Sequence, residues 1–175
     1  GPDGELLITD HQGNKKGGLF TLIKNTVGKK KFPALLSQTG LFRSVKDHEL
    51  HSSVIPYDVN APLWSDGAAK SRWLALPQTA DTDGKPVSPK ISYTARGSWG
   101  LPNGSVLVKS FALDPVIQGQ AKRWIETRLL IKDQDEWAGY SYVWNGDQTD
   151  ARLVPAKGDD QLFQPAGDDG TSNLQ

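Results

Sequence analysis

The chain contains no cysteine and no methionine among its 175 residues. Without cysteine there is no disulfide framework, thiolate zinc site, iron–sulfur cluster or thiol nucleophile, and no paired-cysteine attachment of a c-type haem. The lack of methionine, together with the Gly1-Pro2 start, suggests an excised piece whose first two residues are a cloning scar. Net charge is also missing, since 20 Lys and Arg balance 20 Asp and Glu. No global positive field therefore draws in nucleic acid or an anionic membrane. No apolar run is long enough to span a bilayer. Neither a Gly-x-Gly-x-x-Gly fingerprint nor a Gly-x-Ser-x-Gly nucleophile elbow occurs.

What is present is a chain with 37% hydrophobic residues, 18 Gly and 11 Pro. That composition can bury a core but breaks it into short elements joined by many turns, which points to an all-β fold. Apolar runs on either side of Gly13, Gly17 and Gly18 predict an N-terminal β-hairpin. The basic stretch 24–31 reads as a linker, which places a boundary near residue 30. Apolar residues at helical spacing ahead of Gly40 predict one short helix over 33–39. From residue 55 to about 154 the period is two. Strands are expected at 72–76, 91–95, 105–113, 124–131, 137–144 and 152–154, with turns at Pro102-Asn103-Gly104 and Asn145-Gly146. The expected architecture is an antiparallel β-sandwich or jelly-roll-like domain over 32–156. The hairpin and linker (3–31) would dock on its edge, and a polar tail (157–175) is expected to be flexible.

Four segments carry a resemblance. They are Phe32-Pro33-Ala34-Leu35-Leu36-Ser37-Gln38-Thr39-Gly40-Leu41-Phe42; the stretch from Pro56 to Lys70 with its Ala61-Pro62-Leu63-Trp64-Ser65-Asp66-Gly67 centre; Pro102 to Phe111; and Ile125 to Leu130 followed by Tyr140 to Asn145. Together they resemble a family of secreted bacterial redox proteins. In that family a β domain of this kind is followed by c-type cytochrome motifs and often preceded by a β-propeller like that of quinone-dependent sugar dehydrogenases. The resemblance implies that residues 3–23 close such a propeller, that haem lies beyond this segment, and that the parent protein is periplasmic or extracellular. It names no activity for the domain itself.

Two function classes follow. One is a noncatalytic accessory module that binds a polysaccharide or sugar near a redox partner. The other is a connector that holds the propeller and cytochrome domains in place. Neither needs a cofactor in this segment, and the segment by itself is not expected to be an oxidoreductase.

The loop from Tyr57 to Lys70 is the leading candidate site. Tyr57, Asp58, Asn60, Trp64 and Asp66 offer aromatic faces beside oxygen ligands, and Lys70 and Arg72 add donors from the next strand. The same prolines, Asp and Asn would equally serve a structural crossover. A second polar site is Lys109 with Glu126 and Arg128, the last two sharing a strand face; a cross-strand ion pair would explain them as well. The chain has 6 Trp, most of them expected in the core, with Trp99 and Trp137 beside turns as exposed candidates. No metal site is expected. Asp81, Asp83 and Gly84 form only a partial calcium loop, and His48 and His51 read as surface residues that could meet a metal only on a helix.

Overall fold

The structure, a computed structural model, describes residues 7–10, 18–21, 32–87, 89–113 and 122–160. The linker at 24–31 and residues 161–175 of the tail lie outside them. The chain divides into two compact units between Phe32 and Pro33. In the first, β1 (Leu7–Asp10) and β2 (Gly18–Thr21) pair antiparallel as the hairpin the sequence predicts.

The second unit opens with a single 3₁₀ turn, Leu36–Thr39. There follow β3 (Phe42–Ser44), β4 (Glu49–Leu50), β5 (Ile55–Pro56), β6 (Ala69–Ala75), β7 (Thr79–Ala80), β8 (Pro86–Val87), β9 (Val106–Leu113), β10 (Arg123–Asp133), β11 (Glu136–Trp144) and β12 (Ala151–Leu153). The expected helix is thus one tight turn. Gln38 Oε1 accepts from the amides of Ala34 and Leu35, and Gly40 ends the turn at φ 72, a left-handed conformation that glycine adopts without a Cβ clash. The strand expected at 91–95 shrinks to one bridge between Ser92 and Gly100.

Six strands form one antiparallel sheet in the order β12-β11-β10-β9-β6-β5. Its entry turn is Pro102 to Ser105, where Gly104 at φ 87 and the Ser105 N–H to Pro102 O bond of 3.2 Å make a type II turn. β10 and β11 join through Gln134 and Asp135, both at positive φ, in the mirror-image turn that suits the strand twist. A bulge on β10 sets Trp124 opposite Ala112 and Glu126 opposite Phe111, so Ile125 is the extra residue. Strict alternation would put Trp124 on the face of Glu126; the bulge turns it to the other.

The all-β antiparallel expectation is met. One face of the sheet is buried, with Val108, Ser110, Ala112, Thr127, Leu129, Tyr142, Trp144 and Ala151 sequestered from solvent. The layer that fastens to it is the segment 33–54, a 3₁₀ turn and the β3–β4 ladder, rather than a second broad sheet. This segment adds buried Leu36, Phe42, Val45 and Val54. It is tied down by Tyr142 Oη donating to Pro33 O at 2.9 Å and by the Leu153 amide donating to Ala34 O at 2.8 Å.

His48 fastens its middle to the sheet, and the expectation of a surface histidine is overturned. The turn Val45 to His48 holds His48 at φ 51 and aims the ring at the sheet. The imidazole stacks on Trp124 at 3.6 Å and 13°, lies 5.2 Å from Trp73 and 5.6 Å from Trp144, and takes an edge contact from Phe42 at 5.4 Å. Its Nε2 is 2.9 Å from Ser110 Oγ, which is 2.8 Å from Thr127 Oγ1, which accepts from Trp144 Nε1 at 3.0 Å. With Nε2 accepting, each hydroxyl donates once and accepts from the next group, an arrangement that suits a neutral ring. Burial among these rings lowers the His48 pKa to about 4.

A histidine whose pKa falls on folding is protonated first in the unfolded chain. Its contribution is therefore intact above the unfolded value of 6.5 and is lost as pH falls towards about 4. Chemical denaturation is expected to give about 1–3 kcal/mol less stability at the acid end of this window. That slope should be flattened in His48→Phe; an unchanged slope would show that the imidazole titrates freely.

Candidate ligand-binding face

The opposite face of the sheet is set by strand parity. In one row Lys70, Phe111, Glu126 and Val143 stand side by side on β6, β9, β10 and β11; in the next stand Arg72, Lys109, Arg128 and Ser141. The two candidate sites read separately in the sequence thus share one surface. Lys70 and Arg72 come from the first, and Lys109, Glu126 and Arg128 from the second.

Phe111 is buried on this polar face, roofed by the Lys109 Nζ at 4.9 Å and the Arg128 guanidinium at 4.8 Å from its ring centre. Glu126 grips Arg128 with both oxygens, at 2.7 and 2.8 Å, and this hydrogen bonding raises the Arg128 pKa. The Arg72 side chain, only 8% exposed, bonds Asp58 Oδ1 at 3.2 Å, while the Asp58 side chain is 88% exposed. Lys70 Nζ donates to Ala68 O at 3.1 Å. Lys109 has a lowered pKa, first because it is partly desolvated and then because Arg72, Arg128 and Lys70 crowd it, with Glu126 acting in the other direction.

The Tyr57–Lys70 loop is rooted at this face. The Tyr57 amide donates to Arg72 O at 3.1 Å, extending the β5–β6 ladder, and Asp58 also accepts from the Val59 amide at 2.8 Å. At its far end Asp66 and Gly67 have φ of 46 and 73, and the Ala68 amide closes on Ser65 O at 2.8 Å. Asp66 is thus a type I′ turn residue. Between these ends Leu63 is 81% and Trp64 80% exposed. The side chains of Tyr57, Asn60, Trp64 and Asp66 stay exposed and make no hydrogen bond or ring contact with the cationic row.

Trp99 and Trp137 are exposed, as expected, and Trp99 meets exposed Tyr93 edge-on at 5.9 Å and 82°. Asp81 Oδ1 accepts from the Asp83 and Lys85 amides, both at 2.9 Å, so that carboxylate caps its own turn. His48 and His51 are not on a helix, and among the described residues no group of three His, Asp or Glu side chains could hold a metal. Sequence reasoning missed Tyr93, the buried Phe111 and the aromatic box around His48. Phe111 alone had a signal, as an aromatic at the position parity assigns to the polar face.

Because Trp64 is 80% exposed, Trp64→Ala is expected to change unfolding free energy by no more than about 0.5 kcal/mol. By contrast Trp144→Ala should cost about 3–5 kcal/mol as a core truncation. Urea titrations of both variants check this, and a core-sized loss at Trp64 would make the loop a structural wedge. No protein-family model, no curated protein and no solved structure matches this chain, so its function has to be read from its own residues.

Proposed function

We propose that this domain is a noncatalytic accessory module that binds carbohydrate through the Tyr57–Lys70 loop. On the resemblance drawn from the sequence, it serves a secreted multidomain redox protein in the periplasm or outside the cell, beside propeller and cytochrome domains. The observation that carries the reading is the 80% exposure of Trp64 on a loop pinned at both ends. An indole held in water gains nothing for folding, whereas its face suits the C–H surface of a sugar ring, and Asp58 and Asn60 supply nearby acceptors on the same loop. Ser110, 2.9 Å from the His48 ring, is fully buried and is therefore not offered as a nucleophile in this reading.

The connector reading draws on the exposed Tyr93–Trp99 pair, an apolar contact suited to a neighbouring domain. A glycan array followed by titration separates the two. Binding of at least one glycan class is expected, with Trp64→Ala weakening it by more than about 1 kcal/mol at an unchanged melting temperature. A blank array, or binding indifferent to Trp64, would favour the connector.

A further inference from the structure

Like charges placed directly opposite one another on neighbouring strands destabilise a sheet. Here Arg72, Lys109 and Arg128 stand opposite one another on three consecutive strands, with Lys70 in the adjoining row. Within the sheet Glu126 is the carboxylate among them, and both its oxygens are taken by Arg128. Arg72 is met by Asp58 from the loop. Lys109, in the middle, forms no hydrogen bond or ion pair among the described residues, only the contact over Phe111. The residue is partly buried, its ammonium lies over a ring, and its pKa is lowered by desolvation and then by Arg72, Arg128 and Lys70; the repulsion from these three cations is what a bound anion would relieve.

We propose that the Arg72–Lys109–Arg128 row is an anion subsite, centred on the Lys109 ammonium, for a polysaccharide bearing carboxylate or sulfate groups. This rests on the carbohydrate reading above and specifies the class of chain. Adjacent strands lie about 4.8 Å apart, so the row extends over about 10 Å. A line of charge of this length suits a polymer with a repeating negative group better than one small anion. The Phe111 ring holds the Lys109 and Arg128 heads in place before any ligand arrives, which reduces the ordering cost of binding. Asp58 already seats a carboxylate on Arg72, so the row accepts the proposed group.

The test titrates the full chain, the Lys109→Gln variant and the Trp64→Ala variant with oligogalacturonate, dextran sulfate, neutral dextran and a single-stranded oligonucleotide, each at low and high salt. The acidic saccharides are expected to bind the native chain, at least tenfold more weakly after Lys109→Gln and more weakly in salt. The stronger of the two names the anionic group. The Lys109 Nζ titration, followed by NMR, should move up on binding. Lys109→Gln removes a charge from a repelling row, so its melting temperature should hold or rise, and lost binding then cannot be blamed on unfolding. Acidic-saccharide binding unchanged in Lys109→Gln, neutral dextran bound as tightly, or the oligonucleotide preferred would each overturn the subsite. Trp64-dependent binding of neutral dextran with no acidic preference overturns the subsite and keeps the carbohydrate reading of the loop. Lys109-dependent binding untouched by Trp64→Ala supports the subsite and removes the loop.

Discussion

The burial of one neutral imidazole organises the second unit. His48 can sit among Trp73, Trp124, Trp144 and Phe42 only if its ring nitrogen has a partner, because an unpaired polar group in such a box costs a few kcal/mol. That requirement explains why the apolar face of the central strands carries two hydroxyls. Ser110 and Thr127 face each other across β9 and β10 and pass the hydrogen bond from Trp144 to His48. It also explains the bulge at Ile125, since without it Trp124 would point away from the ring it stacks on. The segment 33–54 has little regular structure of its own, and His48 fastens its middle as Pro33 and Ala34 fasten its start.

With one face assigned, parity assigns the other, and there the residues break an ordinary rule. Phe111 is buried where polar side chains alternate outward, so something must cover it. Long aliphatic side chains from Leu or Met would do so without electrostatic cost. Lys109 and Arg128 do so as a facing pair of like charges, next to Arg72, a pattern that opposes folding by about 0.2–1 kcal/mol for each facing pair. The Glu126 fork offsets part of this at Arg128 and leaves Lys109 crowded. Departures from local consistency of this kind concentrate at functional surfaces.

Much of the sheet was legible because period-two alternation over β9, β10 and β11 is a local signal. The pairing of Glu126 with Arg128 on one face followed from the same parity. The turn at Leu36–Thr39 was overread as a helix because apolar spacing over seven residues fits one 3₁₀ turn equally well. The His48 box was not legible at all: its walls come from residues 42, 73, 124 and 144, and only the folded register brings them together. The cationic row shows the intermediate case. Lys109 is visible as a charge in an apolar strand, Arg128 on the polar face of its own and Arg72 as a donor beside the loop, but that Arg72 falls opposite Lys109, and Lys109 opposite Arg128, depends on two inter-strand registers that no window of sequence contains.

Arg72 is the residue through which loop and sheet become one surface. Its carbonyl receives the Tyr57 amide at the root of the loop, and its guanidinium receives Asp58 from the next position. The side chain is buried while its partner is almost fully in water, so the pair is screened on one side only. An exposed carboxylate on such a pair contributes about 1 kcal/mol or less. Asp58 therefore offsets Arg72 weakly, and Lys109 stays crowded by Arg72, Arg128 and Lys70, with Glu126 acting in the other direction. The exposed Trp64 belongs to the loop that starts beside Arg72. The two halves of the candidate surface are thereby joined at Arg72 twice, by the backbone bond from Tyr57 and by the ion pair with Asp58, and Trp64 stands further along the same loop.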